Sequence, residues 1–239
     1  MKAMVLAAGA GSRMGDLTRD LPKPMLQVQG RPILEHILRN LARHGFHEIV
    51  LNLHHHPQAI QDHFGNGSFL GLSITYIHEP RLLGTAGSAR HAAHLLQGDD
   101  PFLLHYGDVL TDQDLGAMVT SHRQKQAQAT LLLHQRVSSN SVVVVDGEFR
   151  ITHLLERPTE AERVGVESPW VNSGVYLLNP SVLSDIEPSV LRDFPRDVFP
   201  ALIAEGRVYG CPLTGYRCAI DSPERLERAR ADFGGLPES

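Results

Sequence analysis

Near the start of the chain, one short stretch concentrates groups that can hold phosphate. Leu6-Ala7-Ala8-Gly9-Ala10-Gly11-Ser12-Arg13-Met14 is followed by Pro22-Lys23-Pro24-Met25-Leu26. The apolar residues before it read as a buried strand. Glycines let backbone N–H groups turn toward an anion without side-chain clash. Arg13 and Lys23 add charges suited to phosphate oxygens. A nucleoside triphosphate is the first expectation for such a loop. Two common phosphate motifs do not fit it. The dinucleotide fingerprint needs Gly or Ala where Met14 stands, and a helix where Pro22 and Pro24 fall. The P-loop spacing puts its second glycine on Met14 or Asp16 and leaves Lys23 too far along.

These residues need a scaffold, and the composition allows one. The chain has 239 residues, 42% hydrophobic and 21% charged, which is ordinary for a soluble globular fold. The net charge is −5 and the basic residues are scattered, so no nucleic-acid footprint is visible. The two cysteines, Cys211 and Cys218, lack metal-type spacing, which points to a reduced, cytoplasmic chain. No apolar run is long enough to span a bilayer, and no signal peptide is expected ahead of the first strand.

The elements alternate. Strands are expected at Lys2 to Ala7, Glu48 to Leu53, Leu72 to Ile77 and Phe102 to Tyr106, each a short apolar run. Between them, Pro32 opens a helix with Ile33, Leu34, Ile37, Leu38 and Leu41 on one face, ended by Gly45. Pro57 and Gly84 open two more. This pattern predicts an α/β fold, a Rossmann-like, mostly parallel sheet flanked by helices. Ligands in such sheets sit at the carboxyl ends of the strands, where the Gly9 loop, the Gly84 loop and Gly107-Asp108 fall. The later part is richer in strands: Ala129 to Leu133, Ser141 to Val145, Ile151 to Leu155 and Trp170 to Leu178, with Asp146-Gly147 as a hairpin turn. Val208 to Leu213 and Tyr216 to Ile220 read as a closing pair around Thr214-Gly215. Ser222-Pro223 starts a final helix. One domain is expected, with residues 1–125 as one half, 126–233 as a β-rich second half, and 234–239 as a frayed tail.

With both common motifs excluded, the stretch from Leu6 to Leu38 resembles the nucleoside-diphosphate-sugar pyrophosphorylases, the sugar-1-phosphate nucleotidyltransferases. The matching pattern is LAAGAGSRM, a threonine, PKPML and GRPILEHIL at the family's spacing. Further matches are Leu83 to Ser88, Tyr106-Gly107-Asp108, Glu156-Arg157-Pro158, Asn172 to Tyr176 and Ala219 to Glu224. The resemblance implies the nucleotide-diphospho-sugar transferase fold and the reaction NTP + sugar 1-phosphate → NDP-sugar + pyrophosphate. It implies Arg13, Lys23 and Asp108 as catalytic residues. Ala8, Gly9, Gly11, Ser12, Arg13, Gly84, Thr85 and Gly87 would bind the nucleotide. Glu156, Arg157, Asn172 and Gly174 would bind the sugar phosphate, and Asp108 and Asp221 would hold Mg²⁺.

Among members of that family, the chain looks most like those joining GTP to mannose or heptose 1-phosphate. UTP-dependent members acting on N-acetylmuramate or glucose phosphates, and CTP-dependent cytidylyltransferases, share the loop. A nucleotide-binding regulatory subunit is the alternative from another class. Two departures from the family pattern stand out: Arg157 replaces a lysine, and Ser222-Pro223 follows Asp221 in place of Gly-Thr-Pro. No left-handed β-helix is expected, and a homo-oligomer is left open. Some of these residues also have blander readings. Asp108 and Asp221 are possible helix caps, although Asp112, Thr111 and Ser222 compete for those places. His54-His55-His56 reads as a solvated loop after the second strand, because neighbouring strand residues face opposite sides. His78-Glu79 and Arg217 lie near the expected site without an assigned role.

Overall fold

The computed structural model describes residues 1–9, 11–136 and 139–236, and Ser12 by its backbone alone. Of the tail expected at 234–239, residues 237–239 lie outside the described residues. The chain forms two compact units interleaved along the sequence. The first is Met1–Leu82, Leu104–Leu115 and Thr214–Ser239; the second is Leu83–Leu103 and Gly116–Leu213. The Gly84 segment, expected with the first half, therefore lies in the second unit, and Asp221 lies in the first.

Each unit contains strands of a mixed, mostly parallel sheet flanked by helices. In the first unit, Ser73–His78, Glu48–Leu53, Lys2–Leu6 and the end of Phe102–Tyr106 lie side by side in that order. Lys2–Leu6 runs parallel to Glu48–Leu53, which runs parallel to Ser73–His78. Ala3, Met4, Val5, Ile49 and Leu51 are buried. Such continuous apolar runs suit strands covered on both faces. The helix Ile33–Arg43 buries Ile33, Leu34, Ile37, Leu38 and Leu41, the stripe read from the sequence, and packs on a short strand, Val109–Thr111. His36 on the same helix donates its Nε2–H to the Val28 carbonyl (2.8 Å) and meets the Phe233 ring edge-on.

In the second unit, Ala129–Gln135 pairs in parallel with Val208–Pro212 on one side and antiparallel with Trp170–Leu178 on the other. Ser141–Val145 and Ile151–Glu156 form the expected hairpin. Its turn is wider than a two-residue Asp-Gly turn. The Asp146 carboxylate accepts the amides of Glu148 and Arg150, both at 2.9 Å, and Phe149 takes the positive φ of 60°. The side chain of Asp146 thus supplies the acceptor that a tighter backbone turn would provide.

One expected pairing is overturned. Val208–Pro212 and Arg217–Ala219 do not pair with each other. The first pairs with Ala129–Gln135, and the second runs antiparallel to Val109–Thr111. Side chains, not a hairpin ladder, hold the turn after Leu213. Gln113 Oε1 accepts the Thr214 amide (2.9 Å), Asp112 Oδ1 accepts the Tyr216 amide (2.5 Å), and the Thr111 hydroxyl donates to the Tyr216 carbonyl (2.7 Å). Among the described residues, no helix is long and apolar enough to cross a membrane.

The second unit's core includes three aromatic rings. Tyr176 meets Phe199 edge-on with centroids 5.0 Å apart, and Phe199 stacks on Phe194 at 5.5 Å. All three are fully buried. Phe194 and Phe199 come from a proline-interrupted π-helical turn, Phe194–Val198, and the helix that follows it. Removing the central ring leaves a cavity beside two partners. Phe199→Ala is expected to cost about 3–5 kcal/mol, read as a lowered urea midpoint with little change in slope.

Candidate active site

The first unit assembles the glycine-rich loop from the ends of its strands. Past Leu6, the Ala7 amide donates to Asn52 Oδ1 (2.7 Å), and Asn52 Nδ2 donates to Glu79 Oε1 (2.8 Å). Asn52 and Glu79 are buried. This chain of bonds joins the ends of three neighbouring parallel strands with polar groups that burial would otherwise penalise. Ala8 is buried and Gly9 exposed. Gly11 has a φ of 65°, and the loop continues in tight turns through Ser12–Thr18, broken at Gly15. No long helix follows, as Pro22 and Pro24 imply. The Met14 amide donates to the Gly11 carbonyl (2.8 Å), and the Thr18 hydroxyl reaches the same oxygen (3.1 Å). Met14 is buried, and Arg13 extends into solvent.

Lys23 follows Pro22 on a single turn, Lys23–Met25. Its ammonium nitrogen lies 2.5 Å from Asp108 Oδ2, with the lysine side chain 15% and the aspartate 27% exposed. Charges this close and this shielded interact more strongly than a surface pair. Asp108 is delivered by Gly107, whose amide donates to the Leu6 carbonyl (3.0 Å). A Cβ on residue 107 would lie 2.5 Å from that carbonyl oxygen, so only glycine allows this approach. His105 on the same strand is buried. Burial pushes its imidazole down to about 4, against the pull of the Tyr106 carbonyl and of Asp108, so it is neutral at pH 7.

Asp221 reaches the same region through the corrected strand pairing. Ala219 pairs with Val109, and the Ile220 amide donates to the Asp108 carbonyl (2.8 Å). Asp221 then pairs with Arg225 Nη1 at 3.1 Å and lies 3.9 Å from Arg13 Nη1. Ser222, not Asp221, caps the last helix by accepting the Arg225 amide. Among the described residues, the Asp108 side chain is bonded to Lys23 and not to a helix N-terminus. The loop, Arg13, Lys23, Asp108 and Asp221 are thus brought together within one unit. Sequence reasoning missed Arg225 and Asn52. The i,i+4 spacing from Asp221 signals the arginine, and a polar residue inside the apolar EIVLNL run signals Asn52. Among the described residues, no group of three or more His, Cys, Asp or Glu is placed to hold a metal.

The remaining predicted residues lie in the second unit, in two neighbourhoods. Gly84 has a φ of 75°, and a Cβ there would lie 2.4 Å from the Arg192 carbonyl oxygen. The amides of Ala86 and Gly87 donate to that same oxygen at 2.9 and 3.1 Å. The Thr85 amide and hydroxyl both donate to Asp193 Oδ1, and the Thr85 hydroxyl accepts the Phe194 amide (2.9 Å). Close backbone packing on residues 190–194 is thus a structural reason for these glycines. That stretch carried no sequence signal.

The second neighbourhood is built on a bulge in Trp170–Leu178, between Asn172 and Tyr176. Gly174 takes a φ of 79° there. Asn172 Oδ1 accepts its amide (3.0 Å), while Asn172 Nδ2 donates to the Tyr176 hydroxyl (2.7 Å). Glu156 is half-buried at the end of the hairpin, beside exposed Arg157. Burial raises the Glu156 carboxyl above the usual range, and Arg157, Arg196 and Asn172 oppose that only in part. Trp170 packs edge-on against Phe149 (5.4 Å).

The sequence profile described as nucleotidyl transferase matches residues 2–217. The chain belongs to the nucleotidyl transferase family. It is 34% identical over 220 residues to a protein of Synechocystis sp. named UTP–glucose-1-phosphate uridylyltransferase, covering 86% of this chain and 56% of that one. It is 33% identical over 235 residues to a Mycobacterium tuberculosis protein named mannose-1-phosphate guanylyltransferase, covering 97% and 64%. The chain therefore spans less than two thirds of the length of these relatives. Two solved structures share the fold. HddC of Yersinia pseudotuberculosis superposes with a TM-score of 0.81 at 22% identity, covering 97% of this chain and 99% of that one. A Bacillus anthracis protein crystallised with sucrose superposes with a TM-score of 0.85, also at 22% identity, covering 97% and 94%.

Because burial raises the Glu156 carboxyl, folding favours its protonated form. The stability it contributes is complete below the free carboxyl range, near pH 4.3 for a typical Glu, and is lost as pH rises through the raised value. Glu156→Gln cannot ionise. It is expected to match the parent chain in urea at pH 4 and to exceed it at pH 7.5. A variant weaker at pH 7.5 would mean the ionised carboxylate is the stabilising form.

Proposed function

We propose that this chain is a sugar-1-phosphate nucleotidyltransferase, joining an NTP to a sugar 1-phosphate with release of pyrophosphate. The observation that carries this reading is the 2.5 Å Lys23–Asp108 pair beside the glycine loop. A lone phosphate-binding loop would need the lysine but not the acid. In the reaction, a non-bridging oxygen of the sugar phosphate forms a bond to the α-phosphorus. The bond from that phosphorus to the oxygen bridging to the β-phosphate breaks, and pyrophosphate leaves. The nucleophile is already an anion, so no protein base is needed. The protein has to bring polyanions together and align them.

The residues are suited to that work. Backbone N–H groups of the Gly9 to Ser12 loop hold the triphosphate. Arg13, exposed and reaching outward, neutralises the departing pyrophosphate. Lys23 meets the α-phosphate once it exchanges its contact with Asp108 for phosphate oxygen. In the second unit, Glu156 and Asn172 hydrogen-bond sugar hydroxyls, Arg157 faces the sugar phosphate, and Gly84 to Gly87 contact the base. Asp108 and Asp221 are hard oxygen donors tethered to one another's strand by the Ile220–Asp108 bond, and two such carboxylates plus phosphate oxygens fit Mg²⁺. Bound there, Mg²⁺ would supply charge stabilisation to the phosphates under attack.

GTP with mannose or heptose 1-phosphate is the preferred pair, supported by the guanylyltransferase name of the M. tuberculosis relative. The uridylyltransferase name of the Synechocystis relative supports UTP with glucose 1-phosphate as the second reading. A pyrophosphate-release screen of four NTPs against a panel of sugar 1-phosphates tests both, and silence across the panel would overturn the assignment. Within an active pair, Asp108→Asn is expected to lower kcat/KM by about a thousandfold, roughly 4 kcal/mol. Activity within about tenfold of the parent, roughly 1.4 kcal/mol, would remove Asp108 from the catalytic centre.

A further inference from the structure

Three consecutive histidines follow the Glu48–Leu53 strand, and the activity proposed above leaves them without a role. Each makes a bond to backbone. His54 Nδ1 contacts the Glu79 carbonyl (2.6 Å), which fixes the run to the end of the next strand. His56 Nε2 contacts the Arg19 carbonyl (2.9 Å), and His55 Nε2 the Thr18 carbonyl at a longer 3.4 Å. Since a carbonyl only accepts, the ring nitrogens must donate: Nδ1–H on His54 and Nε2–H on the other two. The two rings that reach the loop meet edge-on with centroids 4.0 Å apart. His56 also adopts a φ of 46°, an uncommon left-handed conformation for a residue with a side chain, just before the helix opened by Pro57.

A loop that receives an anion must turn amides toward it and carbonyls away from it. The carbonyls facing away then need donors of their own. In this loop they have them. Gly11 O accepts from Met14 N, the one Thr18 hydroxyl proton is shared between Gly11 O at 3.1 Å and Gly15 O at 3.4 Å, and Asp16 O accepts from the Arg19 amide. The Thr18 and Arg19 carbonyls, the last of the loop, are those the histidines reach. The expectation of a merely solvated histidine loop is thereby sharpened.

We propose that His56, assisted by His55, is a positioning residue for the phosphate-holding loop. Its imidazole N–H pins the far end of the loop in the shape that accepts the triphosphate. The inference rests on the nucleotidyl-transfer reading for its consequence, while its physical content is the tether itself.

Three variants test it: His56→Leu, which keeps a side chain of similar size without a donor; His55→Leu/His56→Leu; and His56→Gln, whose amide N–H₂ reaches about as far as imidazole Nε2. Hydrogen exchange of a peptide covering residues 11–20 is measured with no ligand, alongside KM for each substrate. His56→Leu is expected to speed exchange in that peptide, leave the Ile33–Arg43 helix unchanged, and raise KM for the NTP about fivefold. The double variant should go further, KM for the sugar 1-phosphate should hold, and His56→Gln should restore both readouts. Parent-like exchange in the leucine variants, or a glutamine variant as impaired as the leucine one, would overturn the tether. If the parent chain releases no pyrophosphate with any substrate pair, the nucleotidyl-transfer reading fails, and the exchange measurements still decide the tether.

Discussion

One backbone hydrogen bond, from the Ile220 amide to the Asp108 carbonyl, decides where two acidic side chains can be. The residues come from distant parts of the chain, and each sits at the end of a strand of only three residues. Strands this short are weak alone. They hold because their flanks are fixed: Gly107 against the Leu6 carbonyl on one side, Ser222 capping the last helix on the other. With backbones bonded here, the two carboxylates sit in one region, Lys23 beside Asp108 and Arg13 and Arg225 beside Asp221. Three cations against two carboxylates leave this group a surplus of positive charge, which suits the polyanions of the proposed reaction.

The second unit solves a different problem by similar means. Its polar residues are held by a bulge and by the 190–194 backbone, so that side chains which could bond to a ligand are already oriented by bonds to protein. Asn172 uses one end of its amide on Gly174 and the other on Tyr176. Thr85 is fixed at both its amide and its hydroxyl. Such groups give up freedom before any ligand arrives, which lowers the ordering cost of binding.

Much of this was legible in the sequence where the signal is local. EIVLNL and FLLHY are apolar runs of strand length, and the structure has strands at Glu48–Leu53 and Phe102–Tyr106. The stripe from Ile33 to Leu41 is a helix because its spacing is that of a helix. The glycine loop, Lys23 and Asp108 could be singled out because their residue types are unusual in those places. What could not be read depends on partners far along the chain. Nothing in Arg217–Ala219 says that it pairs with Val109–Thr111 and not with its neighbour across Thr214-Gly215. The deciding groups are the side chains of Asp112 and Gln113, which capture the turn from a distance. The role of the histidine run was hidden for the same reason, since its bonding partners are carbonyls, which carry no sequence identity.

The interleaving of the two units has a consequence for how the chain comes off the ribosome. The second unit is complete once Leu213 has emerged, whereas the first still lacks its segment from Thr214 onward. Its first eighty or so residues await that segment until the inserted unit has been synthesised. Only then can Arg217–Ala219 close on Val109–Thr111 and deliver Asp221. Synthesis order thus completes the acidic pair only after the unit inserted between the segments of the first has had time to fold.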